Sequence, residues 1–244
     1  MKKYVLFLLC LFLSVKVTFC LTKSDIRTQA RYLLLDKSTD TTKQTWTDSM
    51  LNTRIEMAQI EIARKTLCLE RTTYYTTYMS TRGYALPSDL LLINRVAYYI
   101  LKTTNVYQRI TRWTLAGIDE DNNYWQQLAD GQPQKYYLWA SSINIVPAPN
   151  SSYAGESRLQ IDYFKIPDTL SSDTSIPFDG EYRLYPYHPL LIYYVVAWCK
   201  RDLRLFDEAN YYEQQFYNLM SLMMNEISQK PDWFPDFSIR DYKR

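Results

Sequence analysis

Between Trp46 and Val96 the chain gives three backbone instructions in a fixed order: an amphipathic helix, a Tyr-Thr strand and a Leu-Pro-Ser-Asp turn. Leu51, Ile55, Ala58 and Ile62 recur at helical spacing, so one face of the first element is apolar. From Thr72 to Tyr78 the residues change to types that favour extended backbone, and Thr81-Arg82-Gly83 reads as a turn. Leu86-Pro87-Ser88-Asp89 then closes the stretch ahead of Asn94-Arg95-Val96. The switch from a helical period to strand propensity commits the chain to a mixed fold, and none of these residues marks a catalytic centre.

The flanks extend that pattern. Thr22 can cap a first helix carrying Ile26, Ala30, Leu33 and Leu34, which should end near Asp36. Ser38 to Thr42 reads as a loop, because such side chains bond to local backbone. Thr47 is the expected cap of the second helix, with Leu69 extending its apolar stripe and Arg54, Glu56, Glu61, Arg64 and Lys65 on its wetter sides. Strands are expected at Ile93–Leu101, Val106–Leu115, Lys135–Val146 and Ser157–Ile166, with a short helix at Asp119–Leu128. Beyond Pro186 and Pro189, Leu190–Arg204 and Asp207–Ser228 read as helices.

The fold class expected is therefore α+β: a helical bundle from N- and C-terminal helices with an inserted, mainly antiparallel sheet domain. The expected division is an apolar segment at 1–20, helices at 21–71, a β-rich insertion at 72–186, helices at 187–230 and an aromatic arm at 231–244.

Residues 1–20 stand apart. Met1-Lys2-Lys3 followed by the apolar run Tyr4–Val15 has the form of a secretory signal peptide and is too short for a membrane span. Thr18-Phe19-Cys20 lacks the small residues usual before a cleavage site, and the bulky Phe19 argues against a lipid-modified Cys20. A retained segment or an upstream in-frame extension are the alternatives. Removing its three lysines from the 28 basic residues leaves 25 against 26 acids, or −1 for residues 21–244. That balance is wrong for gripping nucleic acid, which needs a concentrated basic surface.

Nothing in the sequence assembles catalytic or metal-binding chemistry, and no cofactor is expected. Cys68 and Cys199 lie in apolar patterns and read as buried reduced thiols, with no Cys-x-x-Cys spacing for zinc. His188, the sole histidine, precedes a helix, where capping or packing is expected of it. Cys199 lies about 16 Å along that helix from it, too far for a nucleophile pair. Five scattered glycines form no phosphate loop. Asp119-Glu120-Asp121 lacks calcium-loop spacing and reads as a solvated helix start. Arg109 and Arg112 beside Tyr and Trp give only a diffuse stacking signal, and Asn150-Ser151-Ser152 is a glycosylation pattern common by chance.

The order of elements resembles the head-to-tail connector (adaptor) proteins of tailed bacteriophages. The resemblance rests on the Trp46-Thr47-Asp48 helix start, Leu86-Pro87-Ser88-Asp89 leading to Arg95-Val96, and Gly131-Gln132-Pro133 before Tyr136-Tyr137. The strands Ile143-Asn144-Ile145-Val146-Pro147 and Leu159-Gln160-Ile161-Asp162-Tyr163, then Pro167, complete it. It implies a structural subunit of a homo-oligomeric ring in the virion neck, usually twelvefold. The ring would dock on the portal protein and contact tail (nozzle) proteins, with DNA passing through without specific binding.

In that light Pro231-Asp232-Trp233-Phe234-Pro235-Asp236-Phe237 reads as an arm. Trp233, Phe234 and Phe237 would be anchors on the portal or a neighbouring subunit, or would fold back on the chain's own helices. Two other classes compete: a secreted or surface-attached bacterial protein binding glycan or protein through its Tyr-rich sheet, and an exported hydrolase using carboxylates.

Overall fold

A computed structural model describes residues 20–38, 44–101 and 106–228. The described residues form five α-helices and eight strands in an α+β arrangement rich in antiparallel pairing. The helices are α1 (Lys23–Leu34), α2 (Asp48–Thr66), α3 (Leu115–Asp121), α4 (Pro189–Asp202) and α5 (Phe206–Ser228), with short 3-10 turns at Trp125–Gln127, Phe178–Gly180 and Tyr182–Tyr187. The chain divides into two compact units, with breaks between Glu61 and Ile62, Pro167 and Asp168, and Glu226 and Ile227. The first holds α1, most of α2, α4 and most of α5; the second holds the sheets.

In the helical unit the ends of the helices follow the local sequence. Thr22 and Asp25 form a reciprocal capping box, Thr22 N–H donating to Asp25 Oδ2 at 2.9 Å and Asp25 N–H to Thr22 Oγ1 at 3.2 Å. Thr47 Oγ1 accepts from Met50 N–H at 3.3 Å, as expected of the α2 cap. Leu51, Ile55 and Ala58 are fully buried. Trp46 stacks edge-on against Trp198 of α4 with centroids 6.3 Å apart, and the Arg54 guanidinium lies 3.0 Å above the Trp198 ring. Tyr194 of α4 meets Phe216 of α5 at 5.6 Å, and Lys200 pairs with Glu208 at 2.7 Å.

The sheet unit is two four-stranded sheets. Strands β1 (Glu70–Thr77), β8 (Gly155–Lys165), β3 (Leu90–Leu101) and β4 (Val106–Arg109) form one in that order. Strands β2 (Gly83–Ala85), β7 (Ser142–Val146), β6 (Lys135–Trp139) and β5 (Thr111–Arg112) form the other, with β5–β6 its parallel pair. One core takes residues from both: Val96, Tyr98, Leu159, Ile161 and Tyr163 from the first, Tyr84, Tyr136, Ile143 and Ile145 from the second.

Four local expectations differ from this structure, each for a physical reason. Lys135–Val146 is a hairpin rather than one strand, because Ala140 takes a left-handed φ of 51° and reverses the chain. Val106–Leu115 breaks into β4, β5 and a helix start, where Thr114 Oγ1 accepts from Gly117 N–H at 3.0 Å and caps α3. The expected helix at Asp119–Leu128 thus begins four residues earlier, at Leu115, and ends at Asp121. Leu69 is buried but lies past α2, since Leu67 turns the backbone to a φ of 51°.

Candidate assembly surfaces

The residues that carry the family resemblance are frame-builders. In the helical unit Asp48 accepts from Arg31 at 2.7 Å and lies 3.4 Å from Arg27, while the Trp46 carbonyl accepts from Arg31 at 2.7 Å. Asp36, with 6% of its side chain exposed, accepts from Arg31 at 2.8 Å and from the Thr45 and Trp46 amides. In the sheet unit Asp89, closing the Leu-Pro-Ser-Asp turn, accepts from Arg71 and from the Tyr163 hydroxyl, both at 2.9 Å, with Lys165 Nζ at 3.8 Å. Burial first, then Asp89, pushes Tyr163 up to about 12. Asp162 accepts from Thr72 at 2.7 Å and from Gln160 at 2.8 Å, and Arg95 stands 3.6 Å away. Each carboxylate ties its own segment to another segment of its unit, which is a shape-fixing role.

The histidine and the two core cysteines are held in the interior. His188 is fully buried between Phe178 and Tyr185, at ring distances of 6.1 and 5.3 Å. Its packing role is as expected, but its side chain does not cap the helix: Nδ1 accepts from the Leu21 amide at 3.1 Å and Nε2 has no partner among the described residues. Burial lowers its pKa to about 4, against the Leu21 bond, which acts the other way. Cys68 and Cys199 are buried, and burial raises Cys199 to about 12.

The acidic triplet sits at the end of α3, not its start, where the helix dipole disfavours it. Asp119 offsets this by accepting from Trp125 Nε1 at 2.6 Å, and Asp121 by pairing with Lys135 at 2.7 Å. Among the described residues no group of three or more His, Cys, Asp or Glu could hold a metal ion. No described helix is long and apolar enough to cross a membrane.

Surface composition offers more. On the outward face of the first sheet, Tyr107 of β4 lies 5.2 Å from Tyr99 of β3 and 6.0 Å from Tyr74 of β1. Arg158 stacks on Tyr99 at 4.9 Å and donates to its carbonyl at 3.3 Å. At the β6–β7 hairpin Trp139 is 64% exposed.

The helical unit exposes a different chemistry. Met50, Met57 and Ile60 are 44%, 44% and 37% exposed on the far side of α2, above a shallow groove of about 550 Å³ lined by Ser49, Asn52, Thr53, Glu56, Met57 and Ile60. Phe206, Tyr217, Leu222 and Met224 are exposed on α5. The α2 stripe lies opposite the Leu51, Ile55 and Ala58 face that the sequence marks as apolar. The 3-4-3 spacing of Met50, Thr53, Met57 and Ile60 was the signal that could have found it. The expected anchors Trp233, Phe234 and Phe237 lie outside the described residues, as does the apolar segment up to Phe19.

A family model described as SU10 adaptor protein matches residues 21–238, and the chain belongs to that family. The match starts where the apolar segment ends and bears out the resemblance to the phage adaptors. It indicates a structural phage adaptor and a place in the virion, and lends no support to the secreted or surface-attached alternative. No curated protein matches the chain.

Proposed function

We propose that this member of the SU10 adaptor protein family is a ring subunit that joins the phage portal to the tail, acting by assembly around the DNA channel rather than by turnover. The observation that carries the reading is the family match over residues 21–238. The structure supports it in a second way, since the potentially reactive His188 and Cys199 are sealed in the core while apolar and aromatic side chains stand on the surface. A ring of head-to-tail contacts repeats one modest joint around an axis, so a symmetric portal converts weak binding into firm attachment. The twelvefold number, the portal and the tail (nozzle) proteins as neighbours, and passage of DNA without specific binding are parts of this proposal.

The C-terminal arm is proposed as the anchor, with Trp233, Phe234 and Phe237 buried on the portal or a neighbouring subunit. Truncating such an anchor costs about 2 kcal/mol or more at each site, and the loss recurs in every copy. The test is electron microscopy of the protein mixed with the portal encoded beside it. Intact protein should decorate portals as a closed ring, whereas protein lacking residues 231–244, or carrying Trp233→Ala and Phe234→Ala, should stay folded and leave them bare. Full decoration by the deletion variant would remove the arm from the account. No ring from intact protein would remove the adaptor role.

A further inference from the structure

We infer that the helical unit carries both halves of the joint between neighbouring copies: the outer stripe of α2 on one copy receives the flank of α5 on the next. This rests on the ring reading and names the surfaces that the reading leaves open.

The first half is an anomaly of α2. A surface helix ordinarily keeps the side opposite its core polar. Here Leu51, Ile55 and Ala58 are buried, yet Met50, Met57 and Ile60 also form an apolar stripe on the opposite side, with the exposed Thr53 between them. The small Ser49 and Thr53 leave the stripe indented, which makes the groove of about 550 Å³.

The second half is on α5. Its buried stripe is Ala209, Phe216, Met220 and Met223. Beside it Phe206, Tyr217 and Met224 are three and two turns apart on one flank, 57%, 46% and 43% exposed. Both stripes repeat at seven residues, Met50 to Met57 and Tyr217 to Met224, the interval at which knobs of one helix enter gaps of another at a shallow crossing angle. Phe206 and Tyr217 are large rigid knobs, and the methionines of the groove are flexible enough to fit them. The α2 rim is mixed, Ser49 and Asn52 with Glu56, and Arg54 donates to the Met57 sulfur at 3.3 Å, while Asn210 and Ser221 border the α5 flank. The acid on the α5 flank, Glu213, is already paired with Arg201 at 2.5 Å.

The area is that of a joint repeated between copies in a ring rather than of a free dimer. At roughly 200 Å² for a large side chain, the exposed parts of three residues give about 250–300 Å² per stripe, and with its rim each copy contributes on the order of 500 Å². That falls short of the ~800 Å² per partner of a standard stable interface, so one joint does not hold a dimer in free solution. A ring on a template multiplies it. The two stripes also differ from each other, as a head-to-tail joint demands; a patch that met its own image would close at a dimer.

The test uses full-length protein and charge exchange. Met57→Lys alone and Tyr217→Glu alone should each fold with an unchanged melting temperature but reduce ring occupancy on the cognate portal at least tenfold. The chain carrying both should recover it. Full rings from either single variant, or no recovery in the double, overturn the joint. Loss with Met57→Lys but not with Tyr217→Glu would mean that α2 meets something other than α5, and also overturns it.

A second readout needs no portal. Protein with Met57→Cys and Tyr217→Cys, in a Cys10→Ser and Cys20→Ser background, should give a ladder of covalent multimers when oxidised at millimolar concentration. Absence of a ladder sinks the joint even where portals are decorated. A ladder with bare portals keeps the joint and sinks the adaptor role.

Discussion

The helical unit and the sheet unit treat their surfaces differently. The helical unit exposes Met50, Met57, Ile60, Leu205, Phe206, Leu222 and Met224, side chains that gain nothing from water. Tyr32, Tyr182, Tyr211 and Tyr217 are exposed there too, but in the sheet unit the balance shifts: Tyr74, Tyr78, Tyr124 and Trp139, each with a polar tip, stand beside only Met79, Val106 and Leu128. Tyr107 even uses its hydroxyl to hold the Ser157 carbonyl at 2.8 Å. A wet aromatic surface is stable as it stands, whereas a thioether and aliphatic one asks for a cover. In the ring proposed above, the drier contacts fall to the helices.

Each unit also has one carboxylate that organises it, and removing these is the strongest way to probe the contrast. Asp36 is more deeply buried than Asp89, with 6% against 22% of the side chain exposed, and it satisfies two backbone amides besides Arg31. Asp36→Ala should cost about 3 kcal/mol and Asp89→Ala about 2 kcal/mol, because less solvent reaches the donors left behind in the helical unit. Urea denaturation of both variants checks the order. A larger loss at Asp89 would make the turn, not the α1–α2 connection, the keystone of the fold.

Acid separates the units next, because the sole histidine lies in the helical one. His188 titrates at about 4 when folded, below its ordinary value of 6.5, so between these values the unfolded chain binds more protons. The stability it contributes is complete above pH 6.5 and is lost as pH falls towards 4. Between pH 6.5 and 5 this amounts to about 2 kcal/mol. His188→Gln should flatten that part of the pH profile while acid unfolding below pH 5 persists. An unaltered slope would show that the imidazole accepting from the Leu21 amide is not held neutral by burial. By the same bond, a chain starting at Cys20 should melt within a few degrees of the full one. One starting at Leu21 puts a charged amine against the imidazole and should melt lower.

How much of this was legible depended on whether the cause was local. Thr22 with Asp25, Thr47 before α2 and Pro189 at the start of α4 act within one turn, and their helices were readable. The β6–β7 hairpin was not, since Ala140 reverses the chain without the Asn-Gly or Asp-Gly chemistry that marks such turns. The α3 start was readable in principle, as Thr114 is an ordinary cap three residues before Gly117, but the Val-Tyr-Gln-Arg run before it carried strand propensity past its end. Asp89 was legible as a turn residue, yet its donors Arg71 and Tyr163 are 18 and 74 residues away and only the closed sheets bring them together. The same holds for the surfaces. A sequence names Met57 as apolar, but only the burial of Leu51, Ile55 and Ala58 shows that it faces outward.

The smallest expected effect on stability is the most direct test of the surface contrast. Met50→Ser with Met57→Ser removes apolar side chains that are more than two-fifths exposed, so little core contact is lost. Tyr74→Ser with Tyr78→Ser does the same on the sheet unit, at 53% and 63% exposure. Away from cores and caps such changes stay within about 0.5 kcal/mol, and all four should leave the melting temperature nearly unchanged. Their effect on self-association should differ. The methionine pair covers apolar surface with hydroxyls and should raise the solubility of the free protein, as expected where an exposed patch drives weak contacts between copies. The tyrosine pair replaces side chains already reconciled with water and should leave solubility where it was. Sedimentation equilibrium at several concentrations distinguishes them, since weak association curves the apparent mass upward. Equal behaviour of the two pairs would mean that the helical stripe is no drier than the tyrosine face, and the division of labour between the units would fall.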